Sequence, residues 1–154
     1  MGVKCIAIGN RIMGDDSIGI RVVEELWDTI MNEDIEVIIA ETDIEYALSK
    51  IDDSDFLLII DSTYFDINPG TLTFTPINDL VFNYKTGFSQ HQPSLLYLIK
   101  QYNKNVDGFV IGIEIEKIEF NLELSNTLNE KFSNICEETL QFIKNNKTIK
   151  NKGE

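Results

Sequence analysis

Ile6-Ala7-Ile8-Gly9-Asn10-Arg11-Ile12-Met13-Gly14-Asp15-Asp16-Ser17-Ile18-Gly19-Ile20-Arg21 is the stretch from which the fold is read. An apolar, β-prone run from Val3 to Ile8 stops at Gly9-Asn10. A loop with a second glycine and two adjacent carboxylates comes next, and an amphipathic helix opens at Ser17. Acids stand where a strand hands over to a helix. Open α/β sheets bind ligands beyond the carboxyl ends of their strands, so whatever else reaches that edge bears on function.

Outward from this stretch, Ile18, Val22, Val23, Leu26, Trp27 and Ile30 recur at helical spacing and predict one surface-packed helix. Ile35 to Ala40 reads as a strand covered on both faces, and Asp43 caps a brief helix through Leu48 to Ile51. Phe56-Leu57-Leu58-Ile59-Ile60-Asp61 is the strongest buried-strand signal, ends in a carboxylate and marks the centre of the sheet. After the turn signal Asn68-Pro69-Gly70, the alternating Thr71 to Pro76 predicts an antiparallel edge strand. A helical turn is expected over Ile77 to Tyr84 and a polar loop over Lys85 to Gln92. His91 then stands just before an apolar helix entered through Pro93. Phe109 to Ile113 is a further buried strand, and Ser125 or Thr127 opens the last helix, which reaches Ile143. Strands alternating with helices at this spacing predict a three-layer α/β/α sandwich with a mostly parallel sheet.

The 154 residues, 43% of them hydrophobic, fit one domain over 1–143, with a flexible Lys/Asn-rich tail over 144–154. A net charge of -13 repels phosphate backbones and anionic lipid, which argues against nucleic acid or membrane partners and favours a cationic or metal-bearing one. Cys5 and Cys136 lie too far apart to form a CxxC site and read as reduced, buried thiols. The chain opens directly in a strand and holds no long apolar run, so a soluble cytoplasmic protein is expected.

Three features are expected at the carboxyl edge of the sheet: Asp15-Asp16, Asp61 and His91, the single histidine. Two carboxylates and an imidazole suit zinc, nickel, manganese or iron, with positions left open for water or substrate. Each residue also has a plainer reading. Asp15 and Asp16 precede a helix and could cap it, and a lone loop histidine is commonly just polar. A carboxylate closing an apolar strand, as Asp61 does, must be solvated, paired or coordinating. The chain has no phosphate loop, GxSxG elbow, HExxH or GxGxxG signature. A Ser-His-Asp set drawn from Ser62 or Ser89, His91 and Asp61 lacks an oxyanion-hole signature.

Ile8-Gly9-Asn10, Gly14-Asp15-Asp16 and Ile18 to Glu24 together resemble the signature of the hydrogenase maturation endopeptidases. The likeness continues through Leu58 to Asp61, Ser89-Gln90-His91, Ile111 to Ile113, Glu116, Glu119 and Leu124-Ser125, in family order over roughly residues 3 to 143. It implies a phosphorylase/hydrolase-like sandwich and a protease, aspartic-type or metallo, that acts on the large-subunit precursor of a [NiFe] hydrogenase. Such an enzyme removes a C-terminal extension once nickel is inserted. By the same resemblance Asp16, Asp61 and His91 are the catalytic and metal-binding residues. Nickel is supplied by the precursor, and other divalent metals are able to occupy the site. The ion either takes part in hydrolysis or serves only as a recognition handle.

The chain departs from the family at Ala40-Glu41-Thr42-Asp43, where a Gly-Thr turn is usual, at Ile115 and at Asn126. Two other readings compete. A phospho-acceptor signalling domain also carries an acid pair and a strand-ending aspartate, but here the late strand lacks a terminal lysine and Lys117 is a poor substitute. A non-catalytic nickel-checkpoint module would bind the precursor without cutting it.

Overall fold

Apolar alternation builds a five-stranded sheet, seen in a computed structural model that describes residues 2–82 and 91–147, with side chains except at residues 81, 82 and 91–94. The strands are β1 (Val3–Ile8), β2 (Glu36–Glu41), β3 (Phe56–Thr63), β4 (Leu72–Pro76) and β5 (Asp107–Glu114). Their order is β2-β1-β3-β5-β4, so the Phe56 run lies at the centre as its sequence predicts. All neighbours are parallel except β4, which pairs antiparallel with β5 and forms the expected edge.

Alternate residues of β1 and β3 point to opposite faces. Cys5, Ala7, Phe56, Leu58 and Ile60 enter one core with α1 (Ile18–Glu25), α2 (Trp27–Met31) and α6 (Asn126–Asn146). Ile6, Ile8, Leu57 and Ile59 enter the other with α3 (Ile44–Ser49), α4 (Ile77–Phe82) and α5 (His91–Gln101). The result is the expected three-layer sandwich. No helix among the described residues is long and apolar enough to cross a membrane.

Local capping matches the sequence closely. Asp43 accepts the Tyr46 N–H at 2.9 Å at the start of α3. Of the two candidates for opening α6, Ser125 does so, its hydroxyl accepting the Leu128 N–H at 3.3 Å. That helix continues past Ile143 to Asn146.

Three expectations are corrected. The single helix expected from Ser17 is preceded by a 3-10 turn over Gly14–Ser17 and interrupted at Leu26, and Trp27 is partly exposed instead of facing the core. At the interruption the Leu26 N–H is shared between the Glu24 and Val22 carbonyls. Second, β2 is an edge strand: Ile38 and Ala40 are buried, while Val37 and Ile39 are only partly covered. Third, His91 is the first residue of α5, not the residue before it. Of the polar loop expected before it, residues 85–90 lie outside the described residues, as do 83 and 84.

At the amino edge of the sheet sits a buried ion cluster that the sequence does not announce. The Lys4 ammonium lies 2.7 Å from Asp55, which is fully buried, and 2.9 Å from Asp52. Asp55 also accepts the Gly2 N–H at 2.9 Å and the Asp52 N–H at 2.7 Å, which staples the start of β1 to the loop before β3. Burial works against the charged ammonium, but the hydrogen bonds it donates to Asp55 and Asp52 outweigh it and hold the lysine above its ordinary value of 10.5. The stabilisation is therefore fully present below that value and is lost as pH climbs through the higher value of the folded protein. Lys4→Met should lower the unfolding free energy by about 3 kcal/mol at neutral pH, because one charge of a buried pair is left behind. Urea unfolding monitored from pH 8 to 11 should show the wild type losing stability above about 10.5 and the variant losing less.

Candidate functional site

The site begins with two close backbone approaches. Gly9, at φ +154°, ends β1, and a side chain there would place its Cβ 2.3 Å from the Asp16 carbonyl oxygen. A Cβ on Gly19 would lie 2.8 Å from the Ile60 carbonyl oxygen and 3.3 Å from that of Ile8. The two glycines let the 3-10 turn and the start of α1 settle directly on the carboxyl ends of β1 and β3. Asp16 is thereby carried to the end of β3.

Asp16 Oδ2 accepts the Asn10 N–H at 3.1 Å, and its Oδ1 accepts the Ser62 hydroxyl at 2.5 Å. The Ser62 N–H in turn donates to Asp61 Oδ1 at 2.7 Å. One residue thus touches both predicted carboxylates. Ser62 and Asp61 are buried and Asp16 is half-buried.

Strand alternation turns Ser62 toward the layer of α1 and Asp61 toward the layer of α5. The last residue of α5, Gln101, lies shortly before the first of β5, Asp107, so the helix runs back along the sheet. Its first residue, His91, accordingly stands at the carboxyl edge, on the layer that Asp61 faces. The His91 side chain and all of Ser89 lie outside what the structure describes. Among the described residues no three His, Cys, Asp or Glu side chains gather closely enough to hold an ion.

Asp15 has a different task. It is buried, and its carboxylate accepts the N–H groups of Ser125 at 2.7 Å, Glu116 at 3.1 Å and Lys117 at 3.4 Å. It clamps both ends of the loop between β5 and α6. The plain capping reading of the acid pair is therefore corrected for these contacts: Asp15 binds N–H groups far along the chain and Asp16 binds that of Asn10, and none of these donors lies in α1.

Glu114 is a residue that the sequence reasoning above passes over. It is buried at the end of β5 and accepts the Thr63 hydroxyl at 2.9 Å and the N–H groups of Phe65, Asp66 and Ile67 between 2.9 and 3.3 Å. The available signal was the one used for Asp61, an acid closing an apolar strand. Lys117 pairs with exposed Glu119 at 3.2 Å.

The departure at Ala40 to Asp43 is absorbed by the scaffold. Glu41 adopts φ +57°, a left-handed conformation natural to glycine that costs a non-glycine residue about 1 kcal/mol. Its carbonyl accepts the Gly9 N–H at 3.0 Å, and its carboxylate pairs with Arg11, which also reaches Glu24 at 2.9 Å. Both cysteines are buried and free, as expected. Burial pushes the Cys5 thiol up to about 12 and that of Cys136 up to about 11, so both stay protonated and neither serves as a nucleophile at neutral pH.

Comparison with known proteins places this geometry in context. The family model described as hydrogenase maturation protease matches residues 20–142. A protein of Methanocaldococcus jannaschii with a provisional hydrogenase maturation protease name is 28% identical over 145 residues, covering 92% of this chain and 93% of its own. The hydrogenase expression/formation protein HupD of Thiocapsa roseopersicina is 22% identical, covering 92% of this chain and 67% of its own. In fold, the chain resembles the Escherichia coli hydrogenase maturating endopeptidase HybD, with a TM-score of 0.75 at 20% identity over 94% of this chain and 93% of that one. It also resembles the [NiFe] hydrogenase maturation protease HybD of Thermococcus kodakarensis, with a TM-score of 0.67 at 21% identity over 92% of this chain and 99% of that one.

Adjacent carboxylates should respond oppositely to mutation. Asp15→Ala strands the buried Ser125 N–H and the part-buried N–H groups of Glu116 and Lys117 and should lower the unfolding free energy by roughly 3 kcal/mol, whereas half-buried Asp16→Asn should change it by less than about 1 kcal/mol. Urea titration of the two variants checks the contrast.

Proposed function

This chain belongs to the hydrogenase maturation protease family, and from that premise we propose that it removes the C-terminal extension of a [NiFe] hydrogenase large-subunit precursor after nickel insertion, reading the nickel through Asp16, Asp61 and His91. The observation that supports this most is the meeting of Asp16 and Asp61 on Ser62 at the carboxyl edge of the sheet. The start of α5 at His91, on the layer Asp61 faces, supports it further.

The donor set suits the proposed substrate. Two carboxylates and one imidazole match the oxygen and nitrogen preference of a divalent ion such as nickel, and the net charge of -13 attracts a cation-bearing partner. The nickel belongs to the precursor. Bound by Asp16, Asp61 and His91, it would supply Lewis-acid polarisation of the scissile carbonyl, or serve only as a recognition handle. Asp16 and Asp61 bind and orient, and the end of β3 fixes where the substrate segment must lie.

Incubation with large-subunit precursor, then intact-mass spectrometry, tests the reading. Nickel-loaded precursor should lose a discrete C-terminal fragment and nickel-free precursor should stay whole. His91→Ala and Asp16→Asn should each slow the cut at least about 100-fold while the fold is retained. Cleavage that proceeds equally without nickel, or in the His91→Ala variant, defeats the nickel-reading role. Tight binding with no change of mass would identify a checkpoint module instead.

A further inference from the structure

Taking Asp16 and Asp61 as the pair that receives the metal, as proposed above, we infer that Ser62 is the positioning residue that keeps them aligned before the metal arrives. A half-buried carboxylate such as Asp16 keeps one orientation only where hydrogen-bond donors hold it. Ser62 supplies two donors from one residue. Its backbone N–H fixes Asp61, and its hydroxyl, 2.5 Å from Asp16 Oδ1, draws Asp16 inward.

The placement is set by the strand. Asp61 and Ser62 are consecutive in β3, so one turns to the α5 layer and the next to the α1 layer, where Asp16 arrives on the 3-10 turn. Ser62 is only 3% exposed and is paired in the parallel ladder with Ile113 of β5, so its hydroxyl has a fixed origin. The Asn10 N–H holds the other Asp16 oxygen from the β1 side. Asp16 is gripped between two strand ends, one oxygen facing Asn10 and the other Ser62.

Substitution separates positioning from simple packing. Ser62→Ala removes the hydroxyl but leaves the N–H on Asp61, whereas Ser62→Thr keeps the hydroxyl. Isothermal titration of nickel ion into the full chain, and KM and kcat on nickel-loaded precursor, are measured beside urea unfolding. Ser62→Ala should weaken nickel binding or raise KM by about 10- to 100-fold, as loss of a partner that orients a metal ligand does. Ser62→Thr should recover most of that loss, whatever its own effect on stability. Nickel affinity and KM within about twofold of wild type in Ser62→Ala overturn the assignment while leaving the metal site standing. A loss that Ser62→Thr fails to recover, and that tracks the unfolding free energy of the two variants, overturns it in favour of packing. If the wild type neither binds nickel nor cuts loaded precursor, the metal-site reading itself falls, and this role with it.

Discussion

The close approach of α1 to the carboxyl ends of β1 and β3 is the constraint on which the site depends. A Cβ on Gly19 would come 2.8 Å from the Ile60 carbonyl oxygen, and one on Gly9 2.3 Å from that of Asp16, both closer than the backbone allows without shifting. With a methyl group at either position the helix start would have to lift away from the sheet. Asp16 would then lose its reach to Ser62. The two glycines that frame the opening sequence are, in physical terms, the reason a carboxylate from one loop and a carboxylate from another strand address the same serine.

The chain handles its excess of acids differently at its two poles. At the amino edge, buried Asp55 and exposed Asp52 are met by the Lys4 ammonium. At the carboxyl edge, Asp15 and Glu114 are met by backbone N–H groups, joined at Glu114 by one hydroxyl, which stabilise a carboxylate without cancelling its charge. Asp15 holds the loop after β5, Glu114 holds the loop after β3, and the pair at Ser62 is set between them.

The turn after β2 shows how a local departure is accommodated. Glu41 keeps the left-handed backbone that glycine would adopt, and its side chain is tied to Arg11. Asp43 is turned to capping α3. The two added charges thus become part of the scaffold around Gly9, whose N–H bonds the Glu41 carbonyl.

Much of this was legible in the chain. Apolar runs and their periods determined the strands, the central place of Phe56 to Asp61 and the antiparallel edge, because a strand buried on both faces must be apolar throughout and one at an edge tolerates proline. The ordered motifs determined the family, and the acid closing β3 marked the edge that matters. The resemblance put Asp16 and not Asp15 in the site, but what each carboxylate touches was not legible. Asp15 and Asp16 are neighbours of one chemistry, yet one clamps a loop a hundred residues away and the other meets Ser62. Ser62 gave no signal of its link to both acids, since that link lies in the pairing of a 3-10 turn with a strand end. Those assignments belong to tertiary structure, for hydrogen bonds between distant segments depend on where the backbones come to rest, and no local pattern records that.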